Sequence, residues 1–164
     1  MSAVTRPTVA NADCAWDEFD PEWYVGHNYR VMRDDDREIL RRVRDFFADV
    51  TGGRRDLRGI DVGSGANLYP SLAMLPFCDE ITLWERSHAN VRWLEREVRD
   101  YASSWDVFWD LLCEQDCYRR VEDPRAKLAA AARVRQGNVF DLDRLESAGD
   151  GPALEQRWDI GTMF

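Results

Sequence analysis

No apolar stretch of this 164-residue chain approaches the roughly 18 residues a membrane span needs, and no secretory leader pattern opens it. A cytoplasmic protein without a membrane partner is the expectation. Basic runs stop at Arg-Arg, and 22 Lys+Arg stand against 31 Asp+Glu, a formal charge of −9. Such a surface repels phosphate backbones, which argues against DNA or RNA and for a small, cationic or amine-bearing partner. Cysteine and histidine are scarce: Cys14, Cys78, Cys113 and Cys117, with His27 and His88. Cys113 and Cys117 lie one helical turn apart, but the spacing matches no zinc pattern, and reduced thiols on an apolar helix face are commoner, so no metal is expected. No Ser, Cys or His sits in a triad-like pattern, which excludes an obvious covalent nucleophile.

What is present centres on Leu57-Arg58-Gly59-Ile60-Asp61-Val62-Gly63-Ser64-Gly65. The run predicts a buried strand over 57–62, a glycine turn, and a helix over 68–75. Gly-x-Gly after a strand lets backbone approach a ligand closely, and a following helix aims its free N–H groups at the same place. No Gly-Lys-Ser/Thr follows, so a P-loop is excluded. A dinucleotide fingerprint needs a third glycine where Leu68 stands, so that pattern is incomplete. S-adenosylmethionine, with its ammonium and sulfonium, suits the acid Asp61 two residues before Gly63. A second strand over 80–85 ends in Glu85, 20 residues beyond Gly65, where a carboxylate can accept both ribose hydroxyls.

Residues 1–15 carry no apolar periodicity and read as a disordered N-terminus. Residues 16–56 read as a lid and helix, and 57–164 as the cofactor-binding part. Phe19, Trp23, Tyr24 and Tyr29 cluster ahead of the first strand. They form either a hydrophobic cover or a lid in which Tyr24 and Tyr29 reach a ligand carboxylate. Ile39, Leu40, Val43, Phe46, Phe47 and Val50 mark an amphipathic helix over 34–50, stopped by Gly52-Gly53. Tyr69 either reaches the ligand or packs, and Asn90 either bonds the ribose or caps the helix expected over 87–101. Trp105, Phe108, Trp109 and Leu112 make a helical stripe, and an alanine-rich helix starts at Pro124. A third strand over 134–139 brings Asn138, Val139 and Phe140 toward an adenine. Gly149, Gly151 and Pro152 fall in a polar loop, and Trp158–Phe164 reads as strand four, placed on the other side of strand one. The chain reads as truncated there, with a bare apolar edge.

Phe19-Asp20-Pro21 with Tyr24 and Tyr29, Gly59–Gly65 with Tyr69, and Glu85 with Asn90 together resemble the nicotinamide, phenylethanolamine and indolethylamine N-methyltransferase family. The long insertion before strand three and the Trp-Asp-Ile of strand four are similar too. The resemblance spans residues 16–164. It implies an α/β, Rossmann-like class I methyltransferase sheet with helices on both faces and helical N-terminal cover. It implies S-adenosyl-L-methionine held by Tyr24, Tyr29, Gly63, Ser64, Gly65, Tyr69, Glu85, Asn90, Asn138 and Val139, and methyl transfer to an amine or N-heterocycle. Glu85 and Asn138 stand where the family more often has Asp. The rival expectations are a non-catalytic cofactor-binding remnant and a dinucleotide-dependent oxidoreductase fragment.

Overall fold

The computed structural model describes residues 15–142 and 158–163; the readings made of residues 1–14, Gly149, Gly151, Pro152 and Phe164 lie outside them. Four strands, β1 (Leu57–Val62), β2 (Cys78–Glu85), β3 (Ala132–Gln136) and β4 (Ile160–Thr162), form one sheet in the order β3-β2-β1-β4. Every pairing is parallel. The fold is α/β, as expected. The chain moves from β1 to β2 to β3 on one side and returns to place β4 on the other. That reversal opens a crevice beyond the carboxyl end of β1.

Helix α1 (Pro21–Asn28) starts on Asp20, whose carboxylate accepts the Glu22 and Trp23 N–H groups, with Pro21 at the position where a missing N–H costs nothing. Helix α2 (Asp34–Val50) has the predicted bounds and buries Leu40, Arg44 and Phe47. The Arg44 guanidinium donates to the Leu111 carbonyl at 2.9 Å and to Glu114 at 2.7 Å, tying α2 to the helix that carries the tryptophan stripe. That helix is α5 (Asp106–Leu112), and α3 (Tyr69–Met74), α4 (His88–Glu97), α6 (Asp116–Arg119) and α7 (Pro124–Ala131) complete the set. Strand β3 begins at Ala132, two residues before the predicted start and with no turn after α7. Alanine favours helix, but pairing of 132–136 with Ile81–Glu85 overrides that preference.

One core cluster takes Leu57, Ile81 and Leu83 from a single face of the sheet and joins them to buried side chains of α2 through α7. Helices over both faces were expected. Among the described residues, the helices of this cluster share one face, because successive right-handed crossovers in one direction put their helices on the same side. On the opposite face the Thr82 hydroxyl accepts the Trp158 indole N–H at 3.2 Å. Within the core the Tyr118 hydroxyl donates to the Ala73 carbonyl at 2.7 Å, fully buried. Tyr118→Phe is expected to cost about 1 kcal/mol, more if the carbonyl is left dry, read as a lower urea midpoint at unchanged slope.

Candidate functional site

At the carboxyl ends of β1 and β2 the backbone folds tightly around two left-handed residues, Gly63 at φ 71° and Gly65 at φ 58°. Side chains resist this region, so the turn requires glycine at both positions. The N–H groups of Gly63 and Ser64 both reach the Trp84 carbonyl, at 2.7 and 3.4 Å, and the Ser64 hydroxyl donates to the Asp61 carbonyl at 3.0 Å. Glu85 braces the turn from the other strand: one oxygen accepts the Gly65 N–H at 2.8 Å, the other the Ser87 N–H at 2.7 Å. Above the turn lies a cavity of about 680 Å³. Tyr24, Tyr29, Asp61, Gly63, Ser64, Gly65, Tyr69, Glu85, Asn90, Asn138 and Val139 all line it, so every residue singled out in the sequence is brought together.

Asp61 is 1% exposed. Its Oδ1 accepts the Thr162 hydroxyl at 2.7 Å, while Oδ2 is buried with no hydrogen-bond partner among the described residues. Burial pushes its carboxyl up to about 6, against the opposing pull of the Thr162 hydrogen bond and the nearby Ser64 hydroxyl and with a smaller push from the charge of Glu85. Two further buried polar atoms of cavity-lining residues, the Trp84 indole N–H and the Asn90 Oδ1, lack partners among the described residues. A buried acceptor or donor left unbonded is costly, and several around one cavity mark where a polar ligand belongs.

Neither a protein-family model nor a curated protein matches the chain.

The aromatic cover is built as a chain of ring contacts. Tyr24 meets Tyr29 edge-on at 5.7 Å, Tyr29 meets Tyr69 at 5.9 Å, and Tyr69 stacks on Phe108 at 5.7 Å. Burial first, then the hydrogen bond with Tyr24, holds the Tyr29 phenol well above its ordinary range, and burial pushes Tyr69 up to about 12. Tyr29 and Tyr69 therefore offer hydroxyls but no charge. The segment before α1 is fastened to the start of α4: the Ser87 hydroxyl donates to the Trp16 carbonyl at 2.9 Å and the His88 N–H to Asp17 at 2.7 Å, with an Arg96–Glu22 ion pair beyond.

Three local expectations need correcting. Ser87, not Asn90, caps α4, accepting the Ala89 and Asn90 N–H groups; the Asn90 amide turns inward to Glu85 at 3.4 Å. Helix α4 also stops at Glu97, short of Tyr101. Helix α3 is only six residues long and starts at Tyr69, because the Asn67 Oδ1 accepts the Tyr69 N–H at 3.1 Å and holds 66–68 as a turn. The start of α3, Tyr69 and Pro70, still lines the cavity, four residues beyond Gly65. Asn138 accepts the Phe140 N–H at 3.1 Å, so part of its hydrogen-bonding capacity goes to its own turn. Sequence reasoning missed Thr162, the hydrogen-bond partner of Asp61, and Trp84, Trp16 and Met163 at the cavity. Only the β1–β4 register, which sets Asp61 beside Thr162, reveals the first. Among the described residues no three His, Cys, Asp or Glu side chains converge to hold a metal, and no helix is long and apolar enough to cross a membrane.

Proposed function

We propose that this chain is an S-adenosylmethionine-dependent methyltransferase of class I architecture, acting on a nitrogen of a small molecule such as an amine or N-heterocycle. The observation that carries the reading is Asp61: a buried carboxylate with one oxygen unused, facing a ligand-sized cavity beside a glycine turn. Such an oxygen is complementary to a cation, here the ammonium of the cofactor's methionine arm. Ser87 and Asn90 occupy one Glu85 oxygen, and the oxygen that braces Gly65 keeps a second acceptor direction for a ribose hydroxyl. A pyrophosphate in the same place would face two carboxylates, Asp61 and Glu85, which disfavours a dinucleotide.

When bound, the cofactor supplies an electrophilic methyl group, so the chain needs to position and desolvate rather than to form a covalent intermediate. Gly63 and Gly65 admit close backbone approach. Tyr24, Tyr29 and Tyr69 close the pocket with rings that exclude water. No dedicated base is assigned. Calorimetric titration with S-adenosylhomocysteine is expected to give binding in about the micromolar range. Glu85→Ala is expected to weaken it about tenfold or more, since both the hydroxyl acceptor and the brace on Gly65 are lost. A chain with a cooperative melt that gives no heat would sink the reading.

A further inference from the structure

A second, smaller cavity of about 290 Å³ lies at the opposite edge of the sheet, lined by Arg55, Pro76, Arg120, Glu122, Asp123 and Lys127 among others. Arg55 stands two residues before β1 and Pro76 two before β2, so this is the amino end of the parallel strands, a strand length away from the glycine turn. Three basic side chains converge here in a chain whose formal charge is −9. Eight other arginines, Arg41, Arg42, Arg44, Arg54, Arg96, Arg119, Arg125 and Arg133, each reach a carboxylate. Arg55, Arg120 and Lys127 form no side-chain hydrogen bond or ion pair among the described residues. Of the two acids on the wall, Asp123 already accepts the Ala126 N–H at 2.9 Å as the cap of α7. Glu122 and Asp123 offset two of the three positive charges, which leaves the wall net positive. Like charges gathered in one concavity repel, and an anion seated between them relieves that repulsion while accepting their N–H groups.

We infer that this cavity is an anion site for a phosphate group, carried by a small phosphate monoester or as the free ion, separate from the cavity at the glycine turn. Two guanidinium forks and one ammonium suit the several oxygens of a tetrahedral dianion better than a single carboxylate. The volume holds the phosphate and a short organic stub but no nucleotide. The test is a titration of the full chain with inorganic phosphate, and in a parallel arm with glucose 6-phosphate, followed by ³¹P NMR at constant ionic strength. Saturable binding is expected, weakened about tenfold by Arg120→Gln and by Lys127→Gln, each a loss of a charge-assisted bond. Arg86→Gln, which removes a cation from the other cavity, is expected to leave the affinity unchanged. Tighter binding in the glucose 6-phosphate arm assigns the site to a monoester, and equal or weaker binding to the free ion. Absence of saturable binding, or binding weakened equally by Arg86→Gln, would overturn the assignment. All three exchanges shorten the side chain and remove its charge at exposed or half-exposed positions, so matched melting curves separate lost binding from lost fold.

Discussion

Asp61→Asn is expected to weaken binding of S-adenosylhomocysteine about 100-fold at pH 7 and to remove its pH dependence, because it deletes the buried carboxylate that the proposed function assigns to the ammonium. In the wild type the Asp61 carboxyl is raised from 3.8 to about 6 in the folded chain. A cationic ligand needs the ionised form, so affinity is expected to hold above pH 6 and to fall toward tenfold per pH unit below it. Binding near pH 6 drives the carboxyl to ionise and so releases a proton, visible as an enthalpy that changes with the buffer's own ionisation heat. The sign for stability is the reverse. A carboxyl whose folded value is raised binds its proton more tightly when folded, so the unliganded chain loses up to about 3 kcal/mol as pH rises from 4 through 6. The Asn variant has no such loss. Its melting temperature is expected to gain on the wild type steadily over that interval, even as its affinity is poorer. Wild-type affinity that stays flat from pH 5 to 7 would refute the role given to Asp61. The combination is informative because a residue kept merely for packing would not trade stability for binding.

How far the sequence reached depends on how local each determinant is. Leu57–Val62 and Asp34–Val50 are legible to the residue because a short buried apolar run ending in Gly-x-Gly, and a long amphipathic repeat ending in Gly-Gly, carry their own boundaries. The gathering of Tyr24, Asp61, Glu85 and Asn138 around one cavity follows from a parallel sheet, whose strand ends all face the same way. What escaped is set by register. The bond from Thr162 to Asp61 joins residues 101 apart and exists only because β4 pairs with β1 in one alignment. The brace that Glu85 gives to Gly65 and Ser87 is likewise invisible in a sequence, where an acid at a strand end signals only a ligand contact. The start of β3 was misplaced because an alanine run gives no local sign of where helix yields to strand.

Gly137→Ala is expected to be the most damaging single-methyl change in the chain, costing about 3 kcal/mol, the upper end of overpacking effects. A Cβ built at Gly137 stands 2.0 Å from Cζ2 of Trp84, 2.4 Å from Cη2 and 2.8 Å from Cε2, well inside any permitted contact. Neither partner can give way cheaply. The Gly137 N–H donates to the Glu85 carbonyl at 2.9 Å, which fixes β3's end against β2. The Trp84 ring is rigid, 4% exposed, and forms part of the cavity wall. Backbone conformation is not the reason for glycine here, since Gly137 lies outside the left-handed region; the ring is. Gly59 makes the contrast. Its Cβ would meet Cys78 Sγ and Met74 Sδ at 3.0 Å, and the flexible Met74 end can shift, so Gly59→Ala should cost less. If Trp84 instead swings aside in Gly137→Ala, it swings into or out of the cavity, and cofactor affinity falls together with stability. Adding Trp84→Leu to Gly137→Ala should recover at least about 1 kcal/mol relative to the sum of the single changes, the signature of two residues in direct contact. Additivity in that cycle, measured by urea unfolding, would show that the ring is not what demands glycine and that the floor of the cavity is less tightly built than this contact implies.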